Sequence, residues 1–208
     1  MRLSHRLPHL ALLSALVLPA CAEPTPETPD LATEMLGSWR ETPHASDDPV
    51  AVGDRDLLTF TDDGQLTQVV DGETQVGPWA LVGDRLTMQL EEPSETLTLE
   101  HTVAVIDGHL LMAVALPQGA VDGPVGTWRT EMRVNARMLD RTIVLGGDGA
   151  ATLREQIDDD APFEAAGIWT EFAPGQIEIQ LRIGDNTTLS LDTFLRGDRL
   201  GLIEYERI

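Results

Sequence analysis

Residues 79–90 read Trp79-Ala80-Leu81-Val82-Gly83-Asp84-Arg85-Leu86-Thr87-Met88-Gln89-Leu90. A turn at Gly83-Asp84 pairs Val82 with Arg85. Leu81 then faces Leu86, and Trp79 faces Met88. Those four side chains and Leu90 share one face of a sheet; Ala80, Thr87 and Gln89 share the other. The period is two, the signature of a half-buried hairpin rather than a helix.

The same reading extends outward. Leu97 to Leu116 folds about Asp107-Gly108, a favoured type I′ pair. Leu97, Leu99, His101, Val103 and Val105 line one face, joined by Leu110, Met112, Val114 and Leu116. Further along, Ile177, Ile179 and Leu181 alternate with Glu178 and Gln180. Beyond the first 20 residues no segment sustains a helical apolar pattern. The chain is therefore expected to be all-β, with about six or seven short antiparallel strands per unit joined mostly by hairpins.

The unit is defined by a repeat. Trp128 follows Trp39 by 89 residues, and Trp169 follows Trp79 by 90. Each tryptophan ends a Gly-x-Trp: Gly37-Ser38-Trp39, Gly77-Pro78-Trp79, Gly126-Thr127-Trp128 and Gly167-Ile168-Trp169. LTFTDDGQLTQ over 58–68 answers TIVLGGDGAATL over 142–153, and VIDGHLL over 105–111 answers LRGDRLG over 195–201. Residues 36–116 and 125–208 read as two copies, joined by the Pro- and Gly-containing linker 117–124. A unit of about 85 residues buries too little surface to be secure alone. The two copies are expected to pack on each other, or each to supply half of a larger sheet or barrel. A four-bladed propeller on the tryptophan spacing is the weaker alternative, because the stretches after Trp39 and Trp79 do not match.

The start of the chain carries Arg2 and Arg6, an apolar run from Leu7 to Leu18, and Leu18-Pro19-Ala20-Cys21. The run is too short to span a membrane as a helix but suits a signal peptide. The last four residues resemble the bacterial lipobox, in which the cysteine is acylated and becomes the first residue of the mature protein. That resemblance makes residues 1–20 a lipoprotein signal peptide and Cys21 the lipidation site. Plain secretion, with cleavage in Ala20-Cys21-Ala22, is the competing reading. Cys21 is the only cysteine, so no disulfide forms within the chain. Residues 21–35, rich in Pro, Thr and acids, are expected to be a disordered tether. Ala22 stands where an Asp would suggest inner-membrane retention, which points to the outer membrane of the cell envelope.

The formal charge is −21, and all 14 basic residues are arginine. Such an excess of negative charge argues against nucleic acid as a partner. It equally argues against charge-driven binding to anionic headgroups.

A Gly-x-Trp on a first strand, then a loop, then a meander of hairpins resembles the lipocalin-like small β-barrels of bacterial envelopes. The resemblance covers most of residues 36–208, twice over. It implies two tandem antiparallel barrels or meander sheets packed on each other. It also implies that Trp39 and Trp128 each close a barrel end, with Gly37 and Gly126 as structural partners and an arginine from a late strand as cover. Arg207 is placed to cover Trp128; the first copy has no such arginine after Arg85.

Candidate chemistry is sparse. His101 sets an ionisable ring on an apolar face: either a core histidine with a hydrogen bond or a polar handle in a pocket. Met88 and Met112 share that face. Trp79 and Trp169 are core plugs or ligand-stacking residues. Asp158-Asp159-Asp160 is the densest carboxylate run, a solvated turn or a weak calcium loop. Arg196-Gly197-Asp198 spells an adhesion tripeptide but occupies a hairpin turn. No nucleophile motif, phosphate loop or metal constellation is present, and no cofactor is implied. The chain is expected to be no enzyme. It is read as a membrane-anchored protein binding a small apolar ligand or an envelope protein, with solidly filled barrels engaging a partner as the alternative.

Overall fold

The computed structural model describes residues 30–43, 56–91, 95–184 and 187–208. Cys21, the signal-peptide segment and most of the expected tether lie outside those residues.

The chain is nearly all antiparallel β, with one closed eight-stranded barrel and further strands outside it. The barrel uses β1 (Gly37–Glu41), β2 (Leu57–Phe60), β3 (Gln65–Val70), β4 (Glu73–Val82), β5 (Arg85–Glu91), β6 (Thr96–Ile106) and β7 (His109–Met112). These seven follow one another as neighbours. The eighth is the last of the chain. It is inserted between β1 and β7, with Trp39 opposite Arg207 and Leu110 opposite Tyr205.

A second curved sheet runs through β8 (Leu116–Pro117), β9 (Gly126–Val134), β10 (Arg137–Leu145), β11 (Ala150–Ile157), β12 (Phe163–Ala173), β13 (Gln176–Ile183), β14 (Thr187–Arg196) and β15 (Arg199–Gly201). β9 joins it to the barrel by pairing with β6, His101 opposite Met132. Its far end comes round to its start through a bridge between Ala115 and Leu200, next to the β8–β9 pair. After β15 the chain crosses back to the barrel as β16 (Ile203–Arg207).

That crossing differs from the sequence division, which assigns residues 203–207 to the second copy. The physical reason is edge pairing. Seven strands of the first copy leave β1 and β7 with open edges, and a short polar-ended strand from the second copy satisfies both. Arg207 consequently covers Trp39, not Trp128, with its Cζ 4.5 Å from the ring centroid.

The hairpins follow the alternation. Trp79 pairs with Met88, Leu81 with Leu86 and Val82 with Arg85. Asp107 and Gly108 both have positive φ, 53° and 81°, as a type I′ turn requires. The face expected from Leu97 to Leu116 holds only to Met112. Ala113 takes φ 51° and breaks the strand. Leu111 and Val114 pack with Phe194 in a cluster between barrel and second sheet.

The glycines of the Gly-x-Trp motifs do two jobs. Gly37 and Gly126 sit at φ 115° and 154°, where side chains are strained. Gly77 and Gly167 mark where β4 and β12 change partners, β4 from β3 to β5. A Cβ there would lie 1.7 Å from the Gln89 carbonyl oxygen and 1.8 Å from that of Gln180. The same close backbone approach thus recurs at Gly77 and Gly167.

The tether also ends earlier than expected. Asp30 caps a short helix, α1 (Leu31–Met35), accepting from the Thr33 amide at 2.8 Å. Leu31 and Met35, one turn apart, point the same way, and Met35 is fully buried at one end of the barrel.

Candidate functional site

One end of the barrel is shut. The Trp39 indole is fully buried, and its Nε1 donates to the Met35 carbonyl at 2.7 Å. Arg207 lies over the ring and donates to the carbonyls of Leu36 and Glu34 at the end of α1. The guanidinium thus ties the last strand, the first strand and the helix together. In the second copy Trp128 Nε1 makes the equivalent bond to the Pro124 carbonyl at 2.8 Å.

Away from this plug the barrel holds a cavity of about 230 Å³. Its apolar wall includes Leu58, Met88, Leu99, Met112 and Ile203. The register explains why they meet. Met88 pairs with Leu99, and Met112 with Ile203, in inward-facing cross-strand pairs. Ala113, Met132 and Val134 line it where β7 ends and β9 takes over the edge of β6. The strand break at Ala113 and the change of partner along β6 are therefore what shape the opening.

Polar side chains line the same space, among them Glu41, Asp56, Gln68, His101 and Tyr205. His101, on β6, is only 6% exposed, and its Nε2 has no hydrogen-bond partner. Burial, helped by the nearby Arg85 charge, pushes its pKa down to about 4. The ring is neutral at neutral pH. Asp56 precedes β2, and burial, then the charges of Glu41 and Asp71, push its carboxyl up to about 6. A hydrogen bond from the Gln68 side chain opposes that rise. Gln68 Oε1 is left buried and without a partner. Tyr205 lies directly opposite Glu41 across the β1–β16 pair. Burial, followed by the charges of Glu41 and Asp56, holds its phenol well above the ordinary tyrosine range.

The structure therefore brings together His101, Met88 and Met112. It places the two other sequence candidates elsewhere. Trp79 meets Phe60 edge-on, centroids 5.2 Å apart at 82°, and donates to the Thr61 carbonyl. Trp169 packs into the second sheet's core and donates to the Gly146 carbonyl at 2.9 Å. Both staple hairpin ends in matching ways. Glu41, Asp56, Gln68 and Tyr205 were not picked out from sequence. A signal existed for two of them: Glu41 is two residues from Trp39 and Asp56 two from Leu58, so alternation alone puts both carboxylates on the inward face.

Two carboxylates of the run Asp158-Asp159-Asp160 are engaged by arginine. Asp158 and Asp160 both contact Arg137, at 3.2 and 2.7 Å. Among the described residues no group of three or more His, Cys, Asp or Glu is placed to hold a metal. Arg196 of the adhesion-like tripeptide is paired at 2.8 Å with Glu204, whose side chain is fully buried between barrel and sheet. No helix among the described residues is long and apolar enough to cross a membrane. Comparison with family models, with curated proteins and with solved structures found no match to this chain.

Proposed function

We propose that this chain is a non-enzymatic lipoprotein of the bacterial envelope, anchored by lipid on Cys21, whose lipocalin-like first barrel binds a small and mainly apolar molecule. The observation that carries this reading is the cavity of about 230 Å³ between Met88, Met112 and His101. An eight-stranded barrel is just wide enough to be filled by side chains or to hold one small ligand. Here the lumen is partly unfilled. For scale, a cavity of ~150 Å³ in a protein core admits benzene. A shut end built from Trp39 and Arg207, with a cavity beyond it, is the arrangement the lipocalin resemblance implies. The unpartnered His101 nitrogen supports a binding role too. A buried polar atom without a partner is costly to folding, and a ligand can satisfy it.

The second sheet serves as a buttress in this reading. Trp128, Ile143, Ile179, Leu181 and Leu200 fill its concave side, each 1% exposed or less. Its outer face carries Ile168, 57% exposed, in a shallow groove with Ala166, Gln180 and Arg182. That apolar surface favours an envelope protein as a second partner.

Native mass spectrometry of the purified protein, after incubation with a lipid extract of its own envelope, tests the reading. A discrete and reproducible added mass is expected. A bare protein mass, under conditions that keep a control lipocalin loaded, overturns it. The anchor has its own test: labelled palmitate is incorporated by the wild-type chain and not by Cys21→Ser.

A further inference from the structure

The space inside the barrel continues past it. Ala113, Met132 and Ile203 line the barrel cavity, and the same three residues line a second cavity, of about 350 Å³, beside β10 and β14 of the second sheet. Arg141, Leu191 and Leu202 line its farther part. The path of the chain explains the shared wall. β7 ends at Met112, Ala113 turns away with positive φ, and the last strand begins at Ile203. The Leu202 amide donates to the Met112 carbonyl at 3.1 Å, which keeps the crossing chain beside the end of β7. Met132, on β9, stands directly opposite His101 on β6. His101 therefore lies on the barrel side of a waist where the two cavities meet.

The barrel cavity alone, about 230 Å³, falls below the ~300–1,000 Å³ usual for sites that enclose a drug-sized molecule, and the two cavities together fall within it. Two of the three residues at the waist yield space: Met132 is unbranched and flexible, and Ala113 is small. Apolar side chains continue on both sides, Leu58 and Met88 in the barrel and Leu191 and Leu202 beyond it. Arg141, in the second wall, is paired with Glu155. At the waist the His101 ring is 6% exposed, and its Nε2 lacks a partner. A hydroxyl both donates and accepts, so it satisfies that nitrogen in either tautomer, and a neutral ring offers an anion no charge to pair with. We propose that the two cavities act as one site for an elongated, uncharged, single-chain molecule with a hydroxyl in the interior of the chain, the hydroxyl at His101 and an apolar arm in each cavity. This rests on the cavity-binding reading above and deepens it, fixing the length of the ligand and the place of its polar group.

Two isomers test this: 1-undecanol and 6-undecanol, equal in mass and differing in where the hydroxyl sits. On the scale of ~150 Å³ for benzene, their roughly twelve heavy atoms need about 300 Å³, more than the barrel cavity offers. Each is titrated into the full chain and followed by amide chemical shifts. Both are expected to move resonances on both sides of the waist, Met88 and Leu99 in the barrel and Leu191 and Leu202 beyond it. 6-Undecanol should bind about fivefold more tightly, as one hydrogen bond to a buried atom implies. In His101→Leu the two isomers should bind equally. If the shifts stay within the barrel, the joined site is overturned while the cavity reading stands. If 1-undecanol binds wild type as tightly as 6-undecanol, or if His101→Leu keeps the difference, the placement of the hydroxyl at His101 is overturned. If neither alcohol perturbs the barrel, both readings fail. The wild-type comparison needs no variant, so a poorly folded mutant leaves the proposal decidable.

Discussion

Acidification should destabilise this protein through His101, and substituting that one residue should remove the effect. The ring is almost fully buried, and its pKa falls from the ordinary 6.5 to about 4. In the unfolded chain the imidazole takes up a proton below about pH 6.5. In the folded barrel it does not do so until about pH 4. Between those values the unfolded state holds more protons, so stability falls as pH falls. The full difference is about 3 kcal/mol, and at about pH 5 roughly 2 kcal/mol of it has been lost. Ordinary carboxylates are still ionised there. Asp56 titrates in the opposite sense, but it is present in both proteins and cancels in the comparison. The assay is urea unfolding followed by tryptophan fluorescence, for wild type and His101→Leu, at neutral pH and at about pH 5. Wild type should lose roughly 2 kcal/mol more than the variant on acidification. At neutral pH the variant should be as stable as wild type or more so, because it removes a buried nitrogen without a partner. An equal acid loss in the two proteins would refute the reasoning, and would mean that the imidazole reaches solvent.

Asp56→Asn should raise stability at neutral pH, because the folded carboxyl is held protonated up to about 6 and its ionised form is penalised. Since Asp56 is only partly buried, the gain is discounted for solvent screening to about 1 kcal/mol. Thermal melts at neutral pH and at about pH 4 check it: most of the gain should disappear at the lower pH, where the folded carboxyl is protonated and the unfolded one is about half protonated. Gly77→Ala and Gly167→Ala should each cost about 3 kcal/mol or more, lowering the melting temperature by roughly 10 °C, because the new methyl meets backbone rather than a mobile side chain. A change within a degree or two would show that strands β4 and β12 can shift cheaply. Arg207→Ala should cost about 1–2 kcal/mol from the lost stacking on Trp39 and the two carbonyl contacts, and should alter the near-ultraviolet dichroism of that indole. Arg207→Lys should recover little of it, since an ammonium cannot stack and fork at once.

How much of this was legible in the sequence depends on range. The alternation in 79–90 set the hairpin register residue by residue, because side chains on a strand can face only two ways. Asp107-Gly108 marked its turn, because few pairs tolerate two positive φ angles. The Gly-x-Trp spacing suggested two copies, and the same close backbone approach occurs at Gly77 and Gly167. His101, Met88 and Met112 share one continuous face in the sequence pattern, and they line one cavity. Trp79 and Trp169 share its period as well, but both indoles turn to hairpin carbonyls at strand ends, a choice alternation does not encode.

The polar wall and the closing strand were decided only in three dimensions. Glu41 and Asp56 meet through the β1–β2 pair, and Tyr205, from the other end of the chain, joins them only because β16 pairs with β1. Nothing local in Ile203–Arg207 says which copy it completes: its pattern suits the edge of the barrel or of the second sheet. The choice follows from unsatisfied backbone at β1 and β7, from the Arg207 guanidinium finding Trp39 and the helix carbonyls, and from Glu204 finding Arg196 between the two sheets. Period and turn chemistry are properties of neighbours along the chain, and the sequence determines them. The partner of a strand edge, and the cavity that the pairing encloses, depend on every other strand being in place.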